Sequence, residues 1–391
     1  MSSSIPPAAS RPPLFTPAFL TMCGFTFTVF LSAFQLFPAA PFRIRDLGGS
    51  PFQSGLFIGL LTFASATSAP FTGAIGDRIG RRRTLLLSSS IIALCSVGYA
   101  VVPRVEWMLA LVAVHGLFWS GLLSASSAHM TSLLPPVRRT EGLGYWGVST
   151  VLAIAVAPPL GFWIMRHGWV WLCVSCLTLN LVMGAIAWRL QEPPHEAHAP
   201  EGSGLVEWRV MAVALSLFLY TFGYGAAQSF SALYAESAGI VPKSLFMSVQ
   251  AVAIIFTRPM AGLLADRLGP RRVFGPCVTL IVIGFALMSL PPTFGRMATA
   301  AAIFGAGFGT AYPVFVAHVM QDVHPRRRGA AFGAILTAFD TGIGTGSTVS
   351  GWVVQHAGYG VAFGVCAGVA ALSLPYFVAV DRWFRRREPV S

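Results

Sequence analysis

Two charged side chains lie inside long apolar stretches of the sequence. Asp340 follows ILTAF and precedes TGIG, and Arg258 follows VAIIFT and precedes PMAG. A charge at the centre of a membrane span costs roughly 2.5–3.5 kcal/mol on insertion scales, so such a residue indicates a functional site by default. We therefore expect either residue to handle a proton or an anionic substrate group. A structural ion pair between Arg258 and Asp340 is the alternative.

The elements that position these residues are predicted to be membrane-spanning helices. The chain has 391 residues, of which 55% are hydrophobic and only 10% are charged. Twelve apolar runs, from 14–37 to 361–380, are each about 20 residues or longer, enough to cross roughly 30 Å of hydrocarbon as a helix. Lipid cannot form hydrogen bonds with the backbone N–H and C=O groups that open strands leave unpaired. The sequence thus predicts an all-α membrane protein with twelve transmembrane helices.

The basic residues predict the orientation of these helices. The net charge is +12, and nineteen of the 26 lysines and arginines fall in the two tails and in the loops that follow even-numbered helices. Six fall in the opposite loops. Because cytoplasmic loops are enriched in Lys and Arg, both termini are expected to be cytoplasmic, with the protein in the inner (plasma) membrane. The orientation of the helices in the bilayer accounts for the positive net charge, so no nucleic-acid partner is expected.

Two similar stretches, GAIGDRIGRRRT at 73–84 and GLLADRLGPRRV at 262–273, concentrate charge between apolar runs. One shift of 189 residues superimposes them and also places Gly144 on Gly333. The chain is therefore expected to contain two six-helix halves arranged as parallel repeats. The predicted boundaries are a tail at 1–13, a first half at 14–188, a linker at 189–208, a second half at 209–380 and a tail at 381–391.

Over essentially its whole length the chain resembles the major facilitator superfamily. The resemblance rests on twelve helices in two halves and on Gly-x-x-x-Asp-Arg-x-Gly-Arg-Arg after the second helix. It implies that family's fold and a latch in which Asp77 meets the N-terminus of helix 11 and stabilises the outward-facing state. A simple topology anchor is the alternative. The predicted latch residues are Gly73, Asp77, Arg78, Gly80, Arg81, Arg82, Asp266 and Arg267.

The resemblance also implies a substrate cavity lined by helices 1, 4, 7 and 10. Each of these helices carries polar or aromatic residues at helical spacing, although helix packing would use the same residues. The set predicts an aromatic, mildly polar cavity suited to an amphiphilic organic molecule. The predicted cavity residues are Gln35, His115, Trp119, Tyr220, Tyr224, Gln228, Phe308, Tyr312 and Arg258, and the predicted proton-coupling residues are Asp340, His115 and His129.

Within the family the chain resembles the drug and sugar exporters, which work as proton antiporters. This resemblance implies proton-coupled efflux of a small organic compound by alternating access. The exporter motifs of the family are only partly present, since His115 follows Val112-x-x where exporters carry Arg-x-x-Gln. Organic-anion uptake through Arg258 and a transport-dead membrane sensor are the alternatives. The sequence carries no nucleotide-binding, catalytic-triad or metal-ligand motif, so we expect no enzyme activity, cofactor or metal. The expected partners are a small-molecule substrate, protons and the lipid bilayer, and the chain is expected to be a monomer.

Overall fold

The computed structural model describes residues 12–191, 208–321, 323 and 328–387. Three residues of the predicted latch, Gly73, Asp77 and Asp266, lie outside the part whose side-chain packing it describes. Throughout the described part the regular structure is helical, without a strand. The first ten helices are α1 (Pro17–Asp46), α2 (Pro51–Ile79), α3 (Arg81–Val101), α4 (Val105–Leu133), α5 (Arg139–Met165), α6 (Trp169–Arg189), α7 (Trp208–Ser237), α8 (Leu245–Leu268), α9 (Pro270–Met288) and α10 (Phe294–Gln321).

The last helical segment, Arg328–Arg387, consists of two helices joined at a glycine. Gly358 has φ 83° and ψ 172°, a conformation that costs glycine little because it has no Cβ. A straight helix of this length would reach about 90 Å, three times the hydrocarbon thickness of a bilayer. We number the two arms α11 (328–357) and α12 (359–387). The described residues then form twelve α-helices and one short 3-10 helix, Pro136–Arg138, and the predicted all-α membrane fold is confirmed.

Capping side chains stabilise the N-termini of α1 and α2. The Thr16 hydroxyl accepts a hydrogen bond from the Phe19 backbone N–H at 3.2 Å and so caps α1. Ser50 and Gln53 form a reciprocal capping box at the start of α2, each side chain accepting from the other residue's N–H. These caps satisfy backbone donors that a helix N-terminus leaves unpaired.

The two charged repeats form the same kind of tight turn. Gly80 joins α2 to α3 with φ 94°, and Gly269 joins α8 to α9 with φ 81°. Both glycine N–H groups close the preceding helix, by donating to the carbonyls of Gly76 and Ala265. A side chain at either position would be strained at such φ values. Equivalent glycines 189 residues apart therefore make equivalent turns.

The helix contacts repeat between the two halves. In the first half α2 packs on α4, and in the second half α8 packs on α10. Between the halves, α2 packs on the helical segment that contains α11, and α5 packs on α8. The central axis of the molecule therefore lies among α2, α5, α8 and α11.

The halves meet closely at the end of the bundle that carries the α1–α2 turn, called here the α1–α2 end. The Ser347 hydroxyl of α11 donates to the Gly55 carbonyl of α2 at 2.7 Å, and Arg45 of α1 forms an ion pair with Glu236 of α7. Lys243 also binds Glu236, at 2.6 Å. The opposite end, with the α2–α3 turn, is called the α2–α3 end. The bundle is thus joined across the halves at the α1–α2 end.

Candidate functional site

A cavity of about 320 Å³, called here the central cavity, lies between the two halves. Eight helices line it, namely α1, α2, α4, α5, α7, α8, α10 and α11. Most of its lining is apolar, and its polar side chains are Thr62, Thr150, Gln228, Arg258 and Asp340. The rings that line it are Phe30, Phe34, Phe37, Trp119, Tyr224, Phe308, Tyr312 and Phe339. A few convergent polar groups within an aromatic pocket are typical of a small-molecule site.

The second half contributes a stacked aromatic wall. The ring of Tyr224 stacks on Phe308 with centroids 4.3 Å apart and planes at 21°, and Phe304 stacks on Phe308 behind it. The Tyr224 hydroxyl accepts a hydrogen bond from Gln228 Nε2 at 2.6 Å. Gln228 Oε1 is buried and has no hydrogen-bond partner among the described residues. A buried acceptor without a partner is costly, so this oxygen is suited to a donor group of a ligand.

The first half contributes an aromatic wall of its own. Trp119 of α4 meets Phe30 and Phe37 of α1 edge to face, with centroids 5.7 and 6.1 Å apart. Phe30, Phe34 and Phe37 are spaced at i, i+4 and i+7, which places them on one face of α1. That spacing is visible in the sequence, and it could have identified this wall without the structure. The cavity thus has aromatic sides from both halves.

Asp340 connects the halves at the edge of the cavity. Ser65 of α2 donates a hydrogen bond to Asp340 Oδ2 at 3.0 Å. A second cavity of about 360 Å³, called here the vestibule, shares Asp340 with the central cavity and extends toward the α2–α3 end. Its lining is rich in hydroxyl groups, including those of Ser120 and Ser126. The Asp340 carboxyl therefore borders both the aromatic cavity and a more polar passage.

Arg258 lines the central cavity from α8. It forms no hydrogen bond or ion pair with any residue that the structure describes, and Asp340 is not its partner. Tyr312 lines the same cavity as both charged residues. The structural ion pair considered from the sequence is thus absent between these two described side chains. The guanidinium is left available to an anionic group.

Four of the sequence-predicted residues lie away from the central cavity. Gln35 accepts a hydrogen bond from Ser175 of α6 at 3.0 Å, so its side chain faces the interior of the first half. His115 is buried one turn before Trp119, and its Nδ1 lies 3.2 Å from the Tyr99 hydroxyl. The other two, Tyr220 and His129, are buried on α7 and α4 and do not belong to the cavity lining.

The described part of the predicted latch lies at the α2–α3 end. Arg81 Nη1 donates to the Ala128 carbonyl of α4 at 3.1 Å. Arg82 Nη2 donates to the Trp188 carbonyl of α6 at 2.6 Å, and its guanidinium lies 5.3 Å from the centroid of the Trp188 ring. These arginines therefore tie the α2–α3 turn to the ends of α4 and α6. Arg78 and Arg267 are exposed.

The sequence matches a known protein family over almost its whole length. The model of the Major Facilitator Superfamily matches residues 20–255 and 213–391. The chain belongs to the major facilitator superfamily. Members of this superfamily are transporters and not enzymes, as the sequence predicts for this chain. It is thus a multi-pass membrane protein of a transporter family.

Relatives within the superfamily resemble the chain over most of their length. The uncharacterized MFS-type transporter YhhS of Escherichia coli is 24% identical over 365 residues, covering 90% of this chain and 89% of the relative. A bacterial homolog of the human lysosomal transporter Spinster, solved inward-facing and unoccupied, has a TM-score of 0.80 at 15% identity and covers 98% of this chain and 100% of that one. The human organic anion transporter TETRAN has a TM-score of 0.73 at 17% identity, covering 94% of this chain and 100% of that one. At sequence identities this low, the structural similarity shows a shared fold.

Replacing Tyr224 tests the aromatic wall. Tyr224→Ala is expected to lower the affinity of a cavity ligand about tenfold or more, as truncation of a buried aromatic anchor does. Tyr224→Phe keeps the stacking on Phe308 and is expected to have a much smaller effect. Calorimetric titration with a ligand found by screening measures both variants. Equal losses in the two variants would indicate that the hydroxyl matters and the ring does not.

Proposed function

We propose that the chain is a proton-coupled exporter of a small organic compound that works by alternating access. The observation that carries the proposal is the central cavity, which joins two aromatic walls to Asp340 between the halves. The walls suit an organic substrate, and the carboxyl suits a proton. Substrate and proton sites in contact with both halves are what a rocking transporter needs.

Proton transfer at Asp340 would alter the contact between the halves. When ionised, the carboxylate accepts the hydrogen bond from Ser65, as in the described conformation. When protonated, it loses the charge that is costly within a membrane span, and it gains an O–H donor. The polar vestibule offers the proton a route from this carboxyl toward the α2–α3 end. Coupling through Asp340 therefore needs no further charged residue.

The proposed orientation of the protein in the membrane rests on the distribution of basic residues. The excess of arginine in the tails and even-to-odd loops favours a cytoplasmic position for the α2–α3 end. The described conformation, joined at the α1–α2 end, then corresponds to an inward-facing state. Both termini would be cytoplasmic, and the bacterial relatives favour the inner membrane. We propose that the chain works as a monomer, because one chain encloses the cavity.

Driven transport in liposomes tests the proposed function. A thermal-shift screen of organic compounds identifies a ligand, and the purified protein is then reconstituted. One pH unit supplies about 1.4 kcal/mol per proton, so an acidic interior should drive about tenfold accumulation of the compound if one proton exchanges for each molecule. A protonophore should remove the accumulation. Accumulation that ignores the pH gradient would contradict proton coupling.

Uptake of an organic anion is the second candidate, because Arg258 lines the cavity without a described partner. A guanidinium in this position would bind a carboxylate or phosphate with two parallel hydrogen bonds. The same liposomes distinguish the candidates. Proton symport predicts accumulation of an anion when the exterior is acidic, whereas antiport predicts accumulation when the interior is acidic.

The latch proposed for Asp77 has its own test. Asp77→Asn removes the charge that the superfamily resemblance assigns to the N-terminus of α11 in the outward-facing state, so that state should become less populated. Transport is expected to fall while ligand affinity in detergent is retained. Cysteine crosslinking across the α2–α3 end measures the shift, which should favour the inward-facing state. Unchanged transport together with unchanged crosslinking would leave the charge as a topology anchor.

A further inference from the structure

A third cavity, called here the lateral cavity, lies between α5 and α8 and has a volume of about 440 Å³. Its walls are apolar, with Val148 and Leu152 from α5 and Ile255 and Pro259 from α8. These helices belong to different halves, so the lateral cavity opens along a seam of the bundle. It extends from Glu141, at the start of α5, to the middle of α8. Its shape is that of a groove along the membrane-spanning helices.

The rim of this groove is suited to lipid chains. Val148, Leu152 and Ile255 are 59%, 47% and 39% exposed, and all lie within membrane-spanning helices. Apolar side chains exposed at this depth meet hydrocarbon and not water. A molecule entering the groove from this side would therefore come from the bilayer.

Arg258 connects the groove to the central cavity, because it lines both. Gly147 of α5 faces the guanidinium, where an added Cβ would lie 3.9 Å from Arg258 Nη2. Glu141, the acid that lines the groove among the described residues, accepts hydrogen bonds of 2.8 and 2.9 Å from Arg138. Neither Glu141 nor Asp340 forms an ion pair with Arg258. The inner end of an apolar groove thus carries a cation without a described partner.

We propose that the lateral cavity binds a single-chain amphiphile with an anionic head group, taken from the bilayer. The head group binds Arg258, and the alkyl chain lies along the groove between α5 and α8. A carboxylate, sulfonate or phosphate relieves the cost of the membrane-embedded guanidinium and matches its planar donors. The inference rests on the proposed transport function, because it names the class of molecule that is carried into the central cavity.

Equilibrium binding of radiolabelled dodecanoate tests the head-group site. The purified full-length chain in a nonionic detergent is compared with Arg258→Gln, Arg258→Lys and a scintillation-proximity blank. Arg258→Gln is expected to lower the affinity about tenfold or more, as for the loss of a hydrogen bond to a charged group. Arg258→Lys keeps the charge and should retain part of the affinity. Dodecyltrimethylammonium has the same chain with a cationic head, and it should compete poorly.

The binding site for the alkyl chain is tested by a substitution that fills the groove without changing a charge. Leu152→Trp should weaken dodecanoate binding about fivefold or more by overpacking the groove. The binding of hexanoate, whose chain is too short to follow the groove, should be unaffected. Leu181→Trp is the matched control, because Leu181 is 60% exposed on α6, away from the seam. This variant pair also decides the question if Arg258→Gln fails to fold.

The source of the ligand is tested by photolabelling in liposomes. Dodecanoate with a diazirine at its terminal carbon is expected to label α5 or α8 at the groove. Labelling confined to the central cavity, competition by the cationic amphiphile equal to that by dodecanoate, or unchanged binding in Leu152→Trp would each overturn the inference. Arg258-dependent binding of dodecanoate without pH-driven transport would support this site and contradict the proposed coupling. Conversely, pH-driven transport of another compound, without Arg258-dependent binding of dodecanoate, would support the proposed coupling and contradict this site.

Discussion

Asp340→Asn is expected to abolish transport driven by a pH gradient while exchange that needs no gradient continues. Asparagine keeps the shape of the side chain and can still accept the hydrogen bond from Ser65, but it cannot exchange a proton. The accumulation ratio in liposomes should fall from about tenfold per pH unit to about one, because no proton then accompanies the substrate. Counterflow of labelled against unlabelled substrate measures the exchange that remains.

One further variant separates the loss of the proton site from the loss of the hydrogen bond. Ser65→Ala removes only the donor to Asp340, and is expected to alter the pH dependence of transport without abolishing it. Since Asp340 does not pair with Arg258 among the described contacts, Asp340→Asn should retain thermal stability near that of the unmodified protein. If the two residues formed a buried ion pair, removal of one partner would instead lower the stability of the folded protein by roughly 3–5 kcal/mol. Full driven transport by a folded Asp340→Asn protein would assign coupling to His115 or His129.

Helix positions were predictable from the sequence because the physics behind them is local. Apolar runs of bilayer length indicate spans, and a repeat offset of 189 residues indicates equivalent turns at Gly80 and Gly269. Tyr224 and Gln228, four residues apart, both reach the central cavity. Their spacing places them on one face of α7.

The choice of face was harder to predict, because a helix of the bundle contacts both its neighbours and the cavity. Gln35 and His115 are polar residues on cavity-forming helices, yet they bond to Ser175 and Tyr99 within the first half. In a membrane, a polar side chain is equally satisfied by a neighbouring helix and by a cavity. Only the three-dimensional packing separates the two cases.

Residues that act across the halves could not be identified from the sequence. Ser65 is one of many small polar residues on α2, and nothing local distinguishes it as the donor to Asp340. Arg45 and Glu236 lie 191 positions apart, and each alone resembles an ordinary charge at the end of a helix. Their ion pair is partly exposed, so it contributes little stability by itself. Its position at the closed end matters more, because it must break when the halves separate there.

Gly351→Val is expected to prevent closure of the α1–α2 end and to reduce transport by more than tenfold. A Cβ at Gly351 would lie 2.7 Å from the Pro51 carbonyl oxygen and 3.1 Å from the Phe52 Cα, both backbone atoms of the opposite half. Overpacking of this kind costs about 1–3 kcal/mol, which shifts a two-state equilibrium by roughly 5- to 150-fold. The halves can relieve the clash by separating at this end, so the variant should fold and favour the state that opens there.

Spin labels on the two halves measure that shift. Cysteines introduced at Asp46 and Ala238, which are exposed at the α1–α2 end, should report a longer distance in Gly351→Val than in the labelled parent. Gly368→Val is the matched control, because a Cβ at Gly368 meets nothing within 4 Å. Ligand affinity should persist in both variants. An unchanged distance with normal transport would mean that the α2–α11 contact yields locally, so that the two halves do not move as rigid bodies about this crossing.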